Sequence, residues 1–236
     1  MKICGLMKTT LLDYPEHVAC TVFTGGCNFR CPFCHNSEIL DFFTEEEYAE
    51  EEIFDFLKIR GKKLEGICIS GGEPTIHADL PDFITEIKKR FNLKVKLDTN
   101  GTNYEMLELL IGEGLIDYVA MDIKSGMRGY AKTSGIIEGS ELIEKAMKSV
   151  RLLLSGTVDY EFRTTYVSGI HERKDFTEIA EMIKGADKYF IQAYEDSENV
   201  LNRNAGFKTP SKEDMKDMLD IVKPYVKYAD IRGIEI

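Results

Sequence analysis

Segments with the pattern of strands and segments with the pattern of helices alternate along most of this 236-residue chain. Strands are predicted at residues 17–24, 66–70, 93–98, 118–123, 160–167, 189–193 and 228–236. Helices are predicted at residues 48–60, 80–91, 104–112, 141–154 and 176–183, and Pro210 and Ser211 open a last one. Because strands joined through crossover helices run parallel, the alternation predicts an α/β protein with a parallel sheet.

The number of βα units limits the architecture further. About six units are present, which is fewer than the eight of a closed barrel, so an incomplete barrel or an open doubly wound sheet fits. No linker rich in Pro, Gly or Ser interrupts the chain. We therefore predict one domain over residues 1–236, with an N-terminal extension at 1–16 and βα repeats at 17–236. Thr44 and Glu47 form a capping-box pattern before the first predicted helix.

Charge and hydropathy exclude some classes of partner. The formal net charge of -11 argues against a nucleic-acid binder, because phosphate contacts need clustered Lys and Arg. No apolar run approaches membrane-spanning length, and residues 1–14 lack the apolar core of a signal peptide. We therefore expect a cytoplasmic protein without a membrane or nucleic-acid partner. Thiols stay reduced there, so the six cysteines are interpreted as core residues or metal ligands before disulfides.

Three of these cysteines crowd into eight positions directly after the first predicted strand, in Cys27-Asn-Phe-Arg-Cys31-Pro-Phe-Cys34-His35. A structural zinc site needs four ligands, whereas only three cysteines are local and His35 follows Cys34 too closely to bind the same ion easily. A dithiol redox site at Cys31 and Cys34 leaves Cys27 unexplained. Covalent haem matches Cys31-x-x-Cys34-His35 but belongs to exported proteins, and no export signal is seen.

A four-iron cluster held by three cysteines accounts for Cys27, Cys31 and Cys34 together. Electron-transfer clusters generally have one thiolate per iron, so a cluster with three thiolates keeps one iron open to a substrate. The spacing C-x3-C-x2-C resembles the signature of the radical S-adenosylmethionine superfamily, in which the open iron binds the amino and carboxylate groups of the methionine moiety. The resemblance makes Cys27, Cys31 and Cys34 the cluster ligands and catalytic residues. It also places Phe33 near the adenine and His35 beside the cofactor.

Polar clusters also follow the later strands at their carboxyl ends, where parallel α/β folds bind ligands. Ser70-Gly71-Gly72-Glu73-Pro74 is either a plain strand-to-helix turn or, by its similarity to the superfamily's GGE motif, the site of the methionine amino group. Asp98-Thr99-Asn100-Gly101 and Met121-Asp122-Ile123-Lys124 end the next two strands. Carboxylates at adjacent strand ends are costly to bury without cations, so we infer a ligand or bound cation between them. Arg163 either faces solvent or suits a carboxylate or ribose.

These stretches, in this order, resemble the pyruvate formate-lyase activating enzyme and its relatives, the activases of glycyl-radical enzymes, over nearly the whole chain. Residues 5–15 and 24–37 are most similar to the anaerobic ribonucleoside-triphosphate reductase activating proteins. The resemblance implies a partial (βα)6 TIM-like barrel, a [4Fe-4S] cluster and S-adenosylmethionine. It implies that Asp98, Thr99 and Asp122 line a pocket for the cofactor or for a monovalent cation. It also implies that Lys124 and Arg163 contact the cofactor's carboxylate or ribose, and Asn100 is assigned to the same cofactor site. Where the family's sixth strand ends in a motif containing His, this chain has Gln192 and Tyr194, which we assign to the cofactor site instead.

The implied activity is reductive cleavage of S-adenosylmethionine, followed by removal of a hydrogen atom from a glycine of a partner enzyme. That partner would be a glycyl-radical enzyme, in the first place anaerobic ribonucleotide reductase, and flavodoxin or ferredoxin would supply the electron. No second group of cysteines has ligand spacing, so no accessory cluster is expected. Two alternatives stay open: a radical enzyme acting on a small molecule or a modified nucleoside, and an iron–sulfur or dithiol electron carrier.

Overall fold

The computed structural model describes residues 1–41 and 46–234, in which eight strands form one sheet in chain order. The strands are Ile3–Thr10 (β1), Ala19–Thr24 (β2), Gly66–Gly71 (β3), Lys94–Thr99 (β4), Tyr118–Asp122 (β5), Asp159–Tyr166 (β6), Lys188–Ala193 (β7) and Tyr228–Arg232 (β8). β2 to β8 are parallel, each to the next, and β1 is antiparallel to β2. Because β1 and β8 lie at opposite ends of this order, the sheet is not closed, and the predicted α/β class is confirmed.

Helices follow the parallel strands as crossover connections. The α-helices of the described residues are Glu50–Arg60 (α1), Leu80–Phe91 (α2), Tyr104–Gly112 (α3), Tyr130–Ser134 (α4), Glu141–Leu154 (α5), Arg173–Met182 (α6) and Lys212–Val222 (α7). The bounds of α2, α3 and α5 are those predicted. In α2 the buried residues recur at helical spacing, which explains why periodicity located this helix so well: Leu80, Phe83, Ile84 and Ile87.

The chain termini and three helices differ from the prediction. Of these helices, α6 begins at Arg173, three residues before the predicted start at 176. The extension contains β1, an edge strand with three consecutive exposed residues and therefore no clear period-two pattern. α4 was not predicted because its five residues are too short to show periodicity. α1 begins at Glu50, where the Glu52 carboxylate accepts a hydrogen bond from the Ala49 N–H, whereas Thr44 lies outside the described residues. β8 ends at Arg232, before the predicted end at 236.

The two faces of the sheet have different chemistry. In β4, Val95 and Leu97 belong to the apolar core formed with the helices. Lys96 and Asp98 lie on the opposite face, because successive side chains of a strand point to opposite sides. On this second face, Lys96 contacts Cys68 of β3, and Asp98 contacts Ser70 of β3 and Arg163 of β6. These contacts lie towards the carboxyl ends of the strands. Within the described part of the chain, no helix combines the length and the apolar character needed to cross a membrane.

Candidate active site

A cavity of about 220 Å³ lies at the carboxyl ends of the strands and brings together nearly all of the predicted site residues. The predicted residues that line it are Cys27, Cys31, Phe33, Cys34, His35, Gly71, Gly72, Glu73, Asp98, Thr99, Asn100, Asp122, Lys124 and Arg163. Phe29, Asn36, Leu40, Ser70 and Thr165 also line the cavity and were not predicted. Gln192 and Tyr194 do not line it.

The cysteine-bearing loop is held by backbone hydrogen bonds to three distant segments. Cys27 N donates to Leu40 O at 3.1 Å, and Arg30 N donates to Ser134 O, at the end of α4, at 2.9 Å. The segment after β7 adds a bond from Leu201 N to Cys34 O at 3.0 Å. The loop therefore has a defined conformation although it contains no regular helix or strand of its own.

The three cysteines line this cavity, and Cys27 and Cys31 are buried whereas Cys34 is half-buried. Burial raises the pKa of Cys27 to about 12 and that of Cys31 to about 11, and it also raises the pKa of Cys34. Among the residues described, no three His, Cys, Asp or Glu side chains are arranged to hold one single metal ion. The donor set on the loop, three thiols on one cavity wall, fits the thiolate ligation of an iron–sulfur cluster. Ligation by iron would displace the thiol protons.

Two pairs of glycines bring the ends of β2 and β3 together beside this loop. A Cβ on Gly72 would lie 2.0 Å from Gly26 O, and Gly71 has a φ of +110° with its Cβ position 2.4 Å from Thr24 N. Glu73 N donates to Gly26 O at 2.9 Å. The glycines therefore allow two backbones to approach each other, and the approach fixes Glu73 next to the cysteine loop.

Glu73 is a buried carboxylate with most of its hydrogen-bonding capacity in use. Its Oε1 accepts from Thr75 N at 3.2 Å, from Thr75 Oγ1 at 2.5 Å and from Thr99 Oγ1 at 2.7 Å. Its Oε2 accepts from Asn100 N at 2.6 Å. Burial raises the pKa of Glu73, and these donors counteract the increase. Oε2, with one donor among the described residues, keeps room to accept another from the cavity.

The Asn100 side chain connects the end of β4 to the cysteine loop. Its Nδ2 donates to Asn28 Oδ1 at 2.9 Å, while its Oδ1 accepts from Thr102 N at 3.0 Å and from Thr102 Oγ1 at 2.6 Å. Asn28 Nδ2 in turn donates to Thr102 Oγ1 at 2.7 Å. Asn28 is thus a connecting residue that sequence reasoning missed, although its position one residue after Cys27 could have suggested it.

Five charged side chains alternate in sign across β4, β5 and β6, and we call them the cavity network: Lys96, Asp98, Arg163, Asp122 and Lys124. Lys96 pairs with Asp98 Oδ1, and Arg163 Nη1 lies 3.4 Å from Asp98 Oδ2. Arg163 Nε lies 3.0 Å from Asp122 Oδ1, and Lys124 Nζ lies 3.0 Å from Asp122 Oδ2. Burial opposes ionisation of Asp122, but Arg163 and Lys124 outweigh it and lower the pKa to about 2. Arg163, and after it Lys96, lower the pKa of Asp98 in the same way.

This network changes the argument for a bound cation. The sequence showed two carboxylates at adjacent strand ends and predicted that a ligand or a bound cation lies between them. In the structure Asp98 and Asp122 are neutralised by Lys96, Arg163 and Lys124 of the chain itself. The described residues therefore give no support to a monovalent cation at this position.

The end of β7 lies beside the cavity and not in its wall. Gln192 lines a neighbouring cavity of about 320 Å³ that shares His35 and Thr165 with the first. The Tyr194 ring packs against the His35 imidazole with ring centroids 5.4 Å apart. His35 Nε2 also contacts Glu195 O. Tyr194 is therefore connected to the candidate site by its contact with His35, which lines the cavity.

Comparison with known proteins places the chain in a family. Residues 21–183 match the model of the "Radical SAM superfamily". A protein of Methanocaldococcus jannaschii named "Putative glycyl-radical enzyme activating enzyme" is 34% identical over 98% of this chain and 96% of that protein. The 7-carboxy-7-deazaguanine synthase of Methanothermobacter thermautotrophicus is 28% identical, but the match covers only 57% of this chain and 55% of that enzyme.

Solved structures share the fold. A radical SAM methyltransferase from Sphaerobacter thermophilus superposes with a TM-score of 0.74 at 16% identity, over 93% of this chain and 67% of that one. A domain of the pyruvate-formate lyase-activating enzyme from Bacteroides vulgatus superposes with a TM-score of 0.55 at 20% identity, over 71% of this chain and 99% of that one. The predicted partial TIM-like barrel is thereby confirmed. The chain belongs to the radical S-adenosylmethionine superfamily and is a radical SAM enzyme, a family that implies a [4Fe-4S] cluster and S-adenosylmethionine as cofactors.

Proposed function

We propose that this enzyme is an activase, which cleaves S-adenosylmethionine reductively and generates a glycyl radical on a partner enzyme. The observation that carries the proposal is the convergence of the three-cysteine loop, Glu73 and four residues of the cavity network on one cavity: Asp98, Asp122, Lys124 and Arg163. The Methanocaldococcus jannaschii relative supports the choice of activity, because its name describes an activating enzyme and its similarity extends over 98% of this chain. We take residues 1–236 as one domain that works in the cytoplasm, where thiols stay reduced.

Cys27, Cys31 and Cys34 are the residues proposed to hold the cluster. Three thiolates leave one of four irons without a protein ligand, so this iron is free for the cofactor. A bound cluster would supply the one electron needed for reductive cleavage of the bond between the sulfonium of S-adenosylmethionine and its 5′-carbon. The chain's own contribution is to keep Cys27, Cys31 and Phe33 of this loop buried, which limits the access of water to the reaction.

Glu73 and the strand ends are proposed to bind the cofactor. Glu73 Oε2 has capacity to accept a hydrogen bond from the cofactor's ammonium group, which its negative charge also attracts. Arg163 and Lys124 are proposed to contact the carboxylate or the ribose, because each uses only part of its donors on Asp122. Phe33, a buried residue of the loop itself, provides an apolar surface for the adenine. His35, Gly71, Gly72, Asp98, Thr99, Asn100, Gln192 and Tyr194 are assigned positioning roles around these contacts.

The overall reaction balances with an external electron donor. S-adenosylmethionine and one electron give methionine and a 5′-deoxyadenosyl group, which becomes 5′-deoxyadenosine by taking a hydrogen atom from the α-carbon of a glycine. Glycine suits this role because it has no β-carbon and can enter a narrow opening. The lateral gap of a sheet that is not closed gives a polypeptide access to the site. Anaerobic ribonucleotide reductase is the proposed partner, and flavodoxin or ferredoxin the proposed donor.

The test is electron paramagnetic resonance on a candidate partner. Anaerobically reconstituted enzyme, reduced flavodoxin, S-adenosylmethionine and anaerobic ribonucleotide reductase are incubated together, and we expect a glycyl-radical signal on the reductase. A reductase in which the radical-forming glycine is replaced by alanine is the matched control and should give no such signal. Cleavage of S-adenosylmethionine without a signal on any glycyl-radical enzyme would contradict the activase assignment and favour a small-molecule or nucleoside substrate. Redox cycling without any cleavage would favour an electron carrier.

A further inference from the structure

Lys96 is a charged residue in the middle of a buried strand. Its side chain is 2% exposed, its ammonium pairs with Asp98 Oδ1, and its Nζ lies 3.8 Å from Cys68 Sγ. Lys94, two residues earlier on the same face of β4, is exposed. Removing an ammonium from water is costly, so Lys96 is stable at this position only because it is paired.

Lys96 is the charge partner of one of the two carboxylate oxygens of Asp98. Asp98 Oδ2 accepts a hydrogen bond from Ser70 Oγ at 3.0 Å and lies 3.4 Å from Arg163 Nη1. Oδ1 has Lys96 as its partner. The Asp98 side chain is 16% exposed and lines the cavity, so without Lys96 an ion from solution could reach the vacated position.

We propose that the Lys96 ammonium is a built-in counter-cation, which occupies the position where a monovalent metal ion would otherwise neutralise Asp98. Because it is attached to β4, it keeps Asp98 ionised and oriented without drawing an ion from solution. Asp98 in turn holds Arg163 at the cavity wall. Lys96 is thus a positioning residue. Its effect on cofactor binding rests on the proposed function, whereas the independence from metal cations is a property of the protein alone.

The experiment compares thermal unfolding of the cluster-free protein in NaCl, KCl and choline chloride at equal ionic strength. The Lys96→Met variant keeps the length of the side chain and removes its charge. In choline chloride its midpoint is expected roughly 10 °C below that of the wild type, because an unpaired carboxylate is left buried. Na⁺ or K⁺ should raise the midpoint with the logarithm of its concentration, since an ion that binds only the folded state stabilises it. The wild type should unfold at the same temperature in all three salts.

Two control variants separate a specific ion site from general screening. Lys94→Met removes an exposed charge of the same strand face and should show no ion-specific recovery. The double variant Lys96→Met with Asp98→Asn removes the proposed anion as well and should show none either. The proposal would be overturned if choline chloride and KCl raised the unfolding midpoint of Lys96→Met equally. It would also be overturned if K⁺ raised the midpoint of the double variant.

The wild type provides a test that does not depend on folding of any variant. Thallium(I), followed by thallium nuclear magnetic resonance, should show no specific binding that Na⁺ or K⁺ displaces, and such binding would overturn the proposal. With the cluster reconstituted, the dissociation constant of S-adenosylmethionine should be the same in the three salts. A complete lack of S-adenosylmethionine binding would contradict the proposed function and leave the ion measurements interpretable.

Discussion

Two groups of side chains lie on the face of the sheet that does not pack against the helices. Both hold carboxylates next to cationic side chains, but with different arrangements of contacts. The cavity network spreads single contacts over alternating charges, and Arg163 is shared between two carboxylates. The second group, which we call the Glu161 cluster, consists of Tyr118, Glu161 and Arg232. Here Arg232 Nη1 and Nη2 donate to Glu161 Oε1 and Oε2 at 2.7 and 2.9 Å, and Tyr118 Oη donates to Oε2 at 3.0 Å.

The difference lies in what each group leaves available. Glu161 is 1% exposed, its guanidinium partner is bidentate, and the Arg232 guanidinium lies 3.3 Å from the centroid of the Phe190 ring. In the cavity network the donors of Arg163 and Lys124 are only partly used, and both residues line the cavity. A saturated cluster stabilises the fold, whereas a network with unused donors at a cavity can bind a ligand.

The largest expected effect follows from removing a thiol. Cys31→Ala should eliminate the cluster, because two thiolates cannot hold four irons in place. Iron analysis should show less bound iron after reconstitution, and chromatography should detect no 5′-deoxyadenosine. Cys20→Ala is the matched control, since Cys20 is also buried but lies in β2, outside the loop. Wild-type cleavage by Cys31→Ala would reject the ligand assignment.

Replacing one arginine in each group tests the comparison most sharply. Arg163→Met should weaken S-adenosylmethionine binding roughly 10- to 100-fold, because charge-assisted hydrogen bonds are lost. Arg232→Met should lower the free energy of unfolding by about 3 kcal/mol, because the buried Glu161 loses its cation, and should leave the affinity nearly unchanged. Isothermal titration of the reconstituted proteins and urea unfolding measure both quantities. Equal affinity losses in the two variants would show that the groups do not differ in function.

The low pKa of Asp122 predicts a loss of stability in acid. The pKa is about 2 in the folded protein and has an ordinary value of 3.8, so ionisation of Asp122 stabilises the folded state above about pH 4. This contribution is lost as the pH falls through the folded pKa. The difference in unfolding free energy between wild type and Asp122→Asn should therefore shrink by about 2 kcal/mol between pH 4 and pH 2. A constant difference over this range would mean that Arg163 and Lys124 do not stabilise the carboxylate.

The smallest expected effect concerns the Glu161 cluster. Tyr118→Phe removes one hydrogen bond to a carboxylate that keeps its bidentate arginine, so urea unfolding should show a loss of about 1 kcal/mol. Release of 5′-deoxyadenosine per folded molecule should not change. A larger fall in activity than in stability would place this cluster in the reaction.

The sequence predicted the elements more reliably than it predicted the partners of each charge. The βα alternation and the crowding of Cys27, Cys31 and Cys34 are local patterns, so both could be interpreted without coordinates. Lys96 could not, because in a strand of alternating character it has the pattern of a solvent-facing lysine. Only the curvature of the sheet turns that face inward. The same tertiary effect gives Asn100 a connecting role with Asn28, which follows a different strand.

The most direct test is the release of 5′-deoxyadenosine by the wild-type enzyme, reconstituted without oxygen and reduced in the presence of S-adenosylmethionine. The cysteine loop and the cavity network predict steady release that depends on both the reductant and the bound iron. The account would be contradicted if reduced enzyme with its full content of cluster iron bound S-adenosylmethionine and left it intact.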